Sequence, residues 1–306
     1  MKMKTLVLSV AMMFAGSSAY AGNFVTLTNG VGGKLTTGNG GLVNGTNNPN
    51  SDKFYILTTD ATYLSGYDPI VRDQFSQYVS GNPNGDVIAT SLDYRTFTGN
   101  PNNPANTTGT GTLTLLDWHV TTGVDLAPGS AQADIYDFVY RDSADGALVF
   151  GTRYLNRVDN NEEANYLYRF NATLNPNTSV LSTAWTFATD YDLRMYQAGL
   201  TDDHSYDATV LLSPDGTVRQ KGDFSVSEGN PWSGLFLVKT DAQYYAWGDK
   251  AIGFYQAGEE GQAIVGGYIG GFVASVAAVP EPSEYALMLV GLGLLGAVAC
   301  RRKNLA

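Results

Sequence analysis

Short apolar segments separated by turn-forming residues constrain the fold of this chain more than any other feature. From Ala133 onward, segments such as ADIYDFVY, ALVFGTRYL and NYLYRF follow one another at short intervals. They are rich in β-branched and aromatic residues and are bounded by Gly, Asn, Asp and Pro, which is typical of antiparallel strands. The pattern predicts an all-β chain built as an antiparallel β-sandwich or jelly roll.

The clearest hairpin lies in the middle of the chain. Segments 133–140 and 147–155 flank the tetrapeptide Ser143–Gly146, whose composition favours a tight turn. A second clear turn is predicted at Ser213–Gly216, where Pro and Asp-Gly follow one another. Further strands are predicted at residues 54–59, 86–97, 111–122, 165–170, 192–197, 207–212, 217–220, 234–240, 242–247, 251–256 and 263–273.

One short helix interrupts the strand pattern, between Asp68 and Gly81. Asp68 can cap the helix and Pro69 suits its first turn, where a missing backbone N–H costs nothing. Apolar residues then recur at helical spacing until Gly81, which ends the pattern.

The N-terminus has the three parts of a secretory signal peptide. Two lysines precede a short apolar stretch, which ends in small residues at Ala19-Tyr20-Ala21. Cleavage after Ala21 would leave Gly22 as the first residue of an exported chain. The apolar stretch is too short for a membrane-spanning helix. Residues 1–21 are therefore predicted to be a signal peptide.

The C-terminal segment 279–306 combines a rigid tripeptide, an uncharged run and a basic end. The tripeptide is extended because proline fixes its own φ and disfavours helix before it; it consists of Pro280, Glu281 and Pro282. The uncharged run from Tyr285 to Cys300 would form about 24 Å of transmembrane helix. The positive-inside rule places the following cations in the cytoplasm: Arg301, Arg302 and Lys303.

This order of features resembles the PEP-CTERM sorting signal of Gram-negative bacteria. The resemblance assigns Pro280, Glu281 and Pro282 to the motif, residues 285–300 to its transmembrane helix and Arg301–Lys303 to its basic membrane stop. It implies recognition by an exosortase, a membrane protease or transpeptidase, and export to the cell surface, often in species that make exopolysaccharide. The resemblance is confined to about a tenth of the chain and implies nothing about the chemistry of the remainder.

Composition limits the partners and the chemistry of the segment between the two ends. The formal net charge of −11 argues against nucleic acid as a partner. The single cysteine, Cys300, lies in the C-terminal segment, which excludes a disulfide framework. Residues 22–52 are predicted to be a flexible arm or a set of edge strands, rich in Gly, Asn and Thr, and residues 53–278 a β-sandwich body.

No catalytic or metal-binding motif stands out, so neither a catalytic residue, a metal ligand nor a cofactor is predicted. His119 lies in a strand pattern and is expected to be structural, and His204 lies in an acidic loop expected to be solvated. The segment Asp159–Glu163 has oxygen ligands at calcium-loop spacing but lacks the required glycine, so a charged hairpin tip is the preferred interpretation. Calcium binding remains an alternative.

Aromatic residues are the other feature of the sequence that could indicate a binding site. Their rings can stack on sugars, as in carbohydrate-binding sandwiches, although tyrosine is also a common strand residue and that interpretation is preferred. The candidates are Tyr136, Tyr140, Tyr166, Tyr168, Tyr244, Tyr245 and Trp247.

The sequence therefore favours a non-enzymatic surface or matrix protein, sorted by an exosortase-type system and secretion machinery. It would meet the membrane through its C-terminal helix and contact extracellular polysaccharide or neighbouring surface proteins. The alternatives are an extracellular hydrolase acting on polysaccharide, which would need two converging carboxylates, and a calcium- or carbohydrate-binding module.

Overall fold

A computed structural model describes most of the predicted β segments of the chain. The described residues are 24–27, 35–36, 55–64, 88–97, 107–127, 130–156, 164–174, 180–186, 195, 197–200, 217–224, 233–256 and 265–276. Every regular element in these ranges is a strand. The all-β prediction is confirmed. The predicted helices at 68–81 and 285–300 lie outside these residues, as do the turn Ser213–Gly216, His204 and Asp159–Glu163.

Fourteen strands are found in the described ranges. They are β1 (Val25–Thr26), β2 (Leu35–Thr36), β3 (Leu57–Tyr63), β4 (Ala89–Phe97), β5 (Thr107–Ala127), β6 (Ser130–Asp142), β7 (Leu148–Asn156), β8 (Ala164–Arg169), β9 (Ser182–Thr186), β10 (Gln197–Leu200), β11 (Val218–Phe224), β12 (Leu235–Lys239), β13 (Tyr244–Gln256) and β14 (Val265–Ser275). Within the same ranges no helical segment has the length and apolarity to cross a bilayer.

The strands form two antiparallel sheets. The larger sheet has eight strands in the order β1-β9-β12-β7-β6-β5-β4-β3, and the smaller has six in the order β14-β13-β8-β11-β10-β2. Strands β3 to β7 are consecutive neighbours, and each pairs antiparallel with the next. The predicted hairpin of β6 and β7 is confirmed, with Ala133 opposite Asn156 and Arg141 opposite Leu148. Its turn contains Gly146 at φ +74°, a conformation that suits glycine.

The two sheets share a hydrophobic core, as a sandwich requires. Ile135 and Phe236 of the larger sheet pack in one cluster with Leu167, Ile252 and Phe254 of the smaller sheet. Polar links also join the sheets: the amide nitrogen of Gln220 donates to Thr183 Oγ1 at 3.0 Å.

The larger sheet also curls and encloses a second core. The residues just before β3 return to β9, where the Ile56 amide donates to the Trp185 carbonyl at 3.0 Å and Tyr55 forms a parallel bridge to Trp185. Leu92, Phe138 and other side chains fill the interior of the curl. Strand β6 therefore has a core on both faces, which explains why apolar residues occur on both: Tyr136 and Phe138 belong to the core of the curl and Ile135 to the core between the sheets.

Two segments predicted as separate strands are one strand in the structure. Residues 244–247 of the first segment and all of 251–256 belong to β13, which continues through Gly248, Asp249 and Lys250. Its pairing with β14 shifts between Gly248 and Ile252, so the polar Gly-Asp-Lys sequence forms an irregularity within the strand. The prediction of a break was wrong because a bulge accommodates turn-like residues without ending a strand.

Candidate functional site

Most of the predicted aromatic row belongs to the interior. Tyr136, Tyr140, Tyr166 and Tyr168 are buried, so the alternative in which they formed an exposed sugar-binding row is wrong. Tyr136 and Tyr140 lie on either side of Phe138 within the curl of the larger sheet. Burial raises the pKa of the Tyr140 phenol above its usual value, as expected for a neutral core tyrosine.

Among the residues that the structure describes, the exposed Trp and Tyr side chains lie on the β13–β14 hairpin. Trp247 is 49% exposed, Tyr244 46% and Tyr268 38%. Tyr245 is half-buried, and burial together with the Asp117 carboxylate, to which it is hydrogen-bonded, raises its pKa. Residues 244–248 of β13 pair with β14 on one side, whereas the pairing of β13 with β8 on the other side covers residues 252–255. This part of the hairpin carries the only exposed part of the predicted aromatic set.

His119 lies beside this hairpin. As predicted, it belongs to a strand, β5, and its imidazole is exposed. Its ring centroid is 4.7 Å from that of Trp247, with the two planes at 79°. His119 therefore joins the larger sheet to the exposed edge of the smaller one, and its contact is to a ring rather than to a carboxylate that could orient it for catalysis.

A buried ion pair joins the sheets. Arg169 of β8 donates through Nη2 to Asp137 Oδ1 of β6 at 2.6 Å, and the amide of Phe272 in β14 donates to Asp137 Oδ2 at 2.6 Å. Arg169 also donates to the carbonyl oxygens of Gly151 and Phe272. Both carboxylate oxygens are thus occupied by structural partners, and the pair is 3% exposed or less.

A second group of charges stabilises the β6–β7 turn. Lys239 Nζ lies 2.7 Å from both Asp142 Oδ2 and Asp145 Oδ2. The phenol of Tyr94 donates to Asp142 Oδ2 at 2.8 Å. Burial, and then the carboxylate of Asp142, raise the pKa of Tyr94 above its usual value. The Asp142 carboxylate therefore accepts hydrogen bonds from a cation, a phenol and the backbone amide of Ala144.

An open cavity of about 520 Å³ lies between β3, β4, β5 and this turn. Its lining is mainly hydroxyl groups with one carboxylate and one guanidinium: Thr59, Asp93, Tyr94, Arg95, Thr110, Gly111, Thr112 and Ser143. Asp93 Oδ1 accepts a hydrogen bond from Thr112 at 2.6 Å. The described residues of the lining include a single carboxylate, whereas glycoside hydrolysis by the common route uses two.

Gly111 has a packing role at this cavity. A methyl group there would overlap the Tyr94 phenol, so Gly111→Ala should displace the ring and break its bond to Asp142. We expect a loss of about 1–3 kcal/mol in the free energy of unfolding, measured by chemical denaturation. Gly146→Asn is the control, because nothing lies within 4 Å of a Cβ there and Asn tolerates positive φ. Equal losses in the two variants would contradict the overlap.

The described residues show no group of three or more His, Cys, Asp or Glu that could hold a metal ion. The predicted sorting and cleavage residues all lie outside the described part of the chain. They are Ala19, Ala21, Gly22, Pro280, Glu281, Pro282, Arg301, Arg302 and Lys303.

Comparison with protein families gives one match. The family of the PEP-CTERM protein-sorting motif matches residues 278–303, which confirms the resemblance predicted from the C-terminal segment. No curated protein and no solved structure matches the chain. The C-terminal segment carries the PEP-CTERM sorting motif, which supports export, association with the membrane and sorting by an exosortase.

Proposed function

We propose that this protein is a non-enzymatic component of the cell surface or its extracellular matrix, delivered there by exosortase-dependent sorting. The match of residues 278–303 to the sorting motif carries the proposal. Residues 1–21 act as a signal peptide that is cleaved before Gly22. An exosortase then recognises the tripeptide Pro280-Glu281-Pro282.

The rest of the C-terminal segment holds the chain in the membrane while it is recognised. Residues 285–300 span the bilayer, and the following cations stay on the cytoplasmic side: Arg301, Arg302 and Lys303. Snorkelling of the arginines extends the reach of a helix of about 24 Å. The body before residue 279 is then outside the cell, where it associates with polysaccharide.

The non-enzymatic part of the proposal is supported by how two buried carboxylates, those of Asp137 and Asp142, are used. Asp137 and Asp142 each accept hydrogen bonds from a cation and from a backbone amide. These arrangements hold strands together and leave no carboxylate oxygen of the two facing a reacting group. A polysaccharide hydrolase, the alternative, lacks a comparable observation in its favour.

The sorting proposal is tested by the intact mass of the mature protein from its own host cells. We expect a mass that lacks residues 1–21 and the basic end, because both segments are removed during export. A second strain carrying Pro280→Ala and Pro282→Ala should accumulate the form that keeps its C-terminus. A wild-type mass that retains residues 301–306 would contradict processing and leave a simple membrane anchor.

A further inference from the structure

The β13–β14 hairpin exposes two aromatic rings on one face. Trp247 pairs across the hairpin with Phe272, and paired residues of neighbouring strands share a face. Tyr268, Gly270 and Phe272 alternate along β14 and therefore share this face too. The indole of Trp247 reaches over Gly270, one alternation from Tyr268. The two ring positions are thus about 7 Å apart along the strand.

The exposed indole is held in a fixed position. His119 packs against it at a centroid distance of 4.7 Å and Phe272 at 5.6 Å, both nearly perpendicular. Gly270 allows the indole to approach the strand, since a Cβ there would lie 2.9 to 3.1 Å from three of its ring atoms. A large ring that is half exposed yet fixed by contacts on several sides loses little conformational entropy when it binds a ligand.

The ring of Tyr268 also packs against a neighbouring ring, and a charged side chain lies close to it. Tyr268 packs against Phe170 at a centroid distance of 5.4 Å, and the Lys250 ammonium lies 4.9 Å from its ring centroid. Lys250 and Asp249 belong to the bulge of β13 and are exposed. Hydrogen-bond donors and acceptors therefore border the aromatic surface formed by Trp247 and Tyr268.

We infer that Trp247 and Tyr268 form a binding surface for an uncharged polysaccharide. Two flat apolar rings whose strand positions are about 7 Å apart can stack on the C–H faces of pyranose rings of one chain, and Asp249, Lys250 and His119 can bond to hydroxyl groups at their edge. The net charge of −11 disfavours a polyanionic chain. This inference rests on the proposed export, which brings the surface into contact with extracellular glycans.

The hairpin supplies a matched set of variants. Trp247→Ala removes a ring from the proposed surface. Gly270→Ala keeps the ring but forces it out of place. Tyr244→Ala removes an equally exposed ring, but residue 244 lies on the opposite face of β13 because it differs from 247 by an odd number of positions. Trp247→Ala and Tyr244→Ala should leave thermal unfolding nearly unchanged.

The test is calorimetric titration of the purified full-length chain with hexaoses of β-1,4-glucose, α-1,4-glucose and β-1,4-N-acetylglucosamine, and with dextran sulfate as the polyanionic probe. We expect at least one neutral hexaose to bind, with affinity about tenfold lower in Trp247→Ala and Gly270→Ala and unchanged in Tyr244→Ala. Sedimentation of the same samples reports whether the surface pairs two copies instead.

The inference would be overturned if no neutral hexaose binds the wild-type chain, if Trp247→Ala binds as well as wild type, or if Trp247→Ala only abolishes self-association. Binding of dextran sulfate alone would also overturn it. None of these results changes the mass of the mature protein, so failure here is distinguishable from failure of the sorting proposal.

Discussion

Replacing Arg169 with methionine is expected to lower the free energy of unfolding by about 3–5 kcal/mol at pH 8. The variant leaves the Asp137 carboxylate buried between the sheets without its cation, retaining the hydrogen bond from the Phe272 amide. The double variant Asp137→Leu, Arg169→Met should recover most of the loss, because it removes the isolated charge as well. Urea denaturation of the purified chain measures both values.

The loss of unfolding free energy in Arg169→Met should depend on pH. Burial raises the pKa of Asp137, whereas Arg169 and the Phe272 amide lower it. Without the guanidinium, the folded-state pKa rises further above the unfolded value. A raised folded-state pKa of an acid costs stability fully above that pKa, and the cost disappears as pH falls toward the unfolded pKa.

The difference between wild type and Arg169→Met should therefore shrink between pH 8 and pH 5. Arg141→Met is a matched control, because Arg141 donates to the carbonyl oxygens of Gly146 and Gln243 rather than to a buried carboxylate. Arg141→Met should lower the free energy of unfolding by about 1 kcal/mol, and this loss should be nearly independent of pH. A loss in Arg169→Met that stays constant across this range would show that Asp137 does not take up a proton.

Trp185→Ala is expected to have the second large effect and to lower the free energy of unfolding by about 3–5 kcal/mol. Trp185 is 1% exposed and packs in the core between the sheets. Its ring lies 4.7 Å from that of Tyr55, centroid to centroid, where the residues before β3 meet β9. Trp247→Ala makes the same chemical change at a ring that is 49% exposed and should cost about 1 kcal/mol or less. Thermal or urea unfolding of the two variants side by side checks the contrast.

Comparable losses in the two tryptophan variants would contradict the burial of Trp185 and the closure of the curl. The comparison also supports the binding test above. If Trp247→Ala retains wild-type stability, a loss of glycan affinity in that variant reports the missing ring rather than a damaged fold.

Strand identity could be predicted from the sequence, but the curl of the larger sheet could not. Short runs of apolar and aromatic residues bounded by turn residues identify β6, β7 and β14, because those signals are local. The closure depends on Ile56 reaching the carbonyl of Trp185, two positions separated by a long stretch of chain. Strand β9, with the sequence STAWT, was missed since it lacks a clear alternating pattern and is largely buried.

The candidate surface was only partly predictable for the same reason. Trp247 was identified as an aromatic strand residue, but its exposure depends on where β13 extends beyond β8. The paired glycines at 270 and 271 were a usable signal, because glycine within a strand often marks the close approach of another group. The ion pair of Asp137 and Arg169 had no sequence signal, since its members lie on different sheets.

The end of β14 has a consequence for the geometry of processing. The strand ends at Ser275 and the matched sorting motif begins at residue 278, three residues later. A chain extends at most about 3.6 Å per residue, so the start of the motif lies within roughly 11 Å of a sheet edge whose Phe272 amide is bonded to Asp137. Few residues therefore separate the folded sheet from the motif. An enzyme that binds the motif must also fit beside the surface of the folded domain.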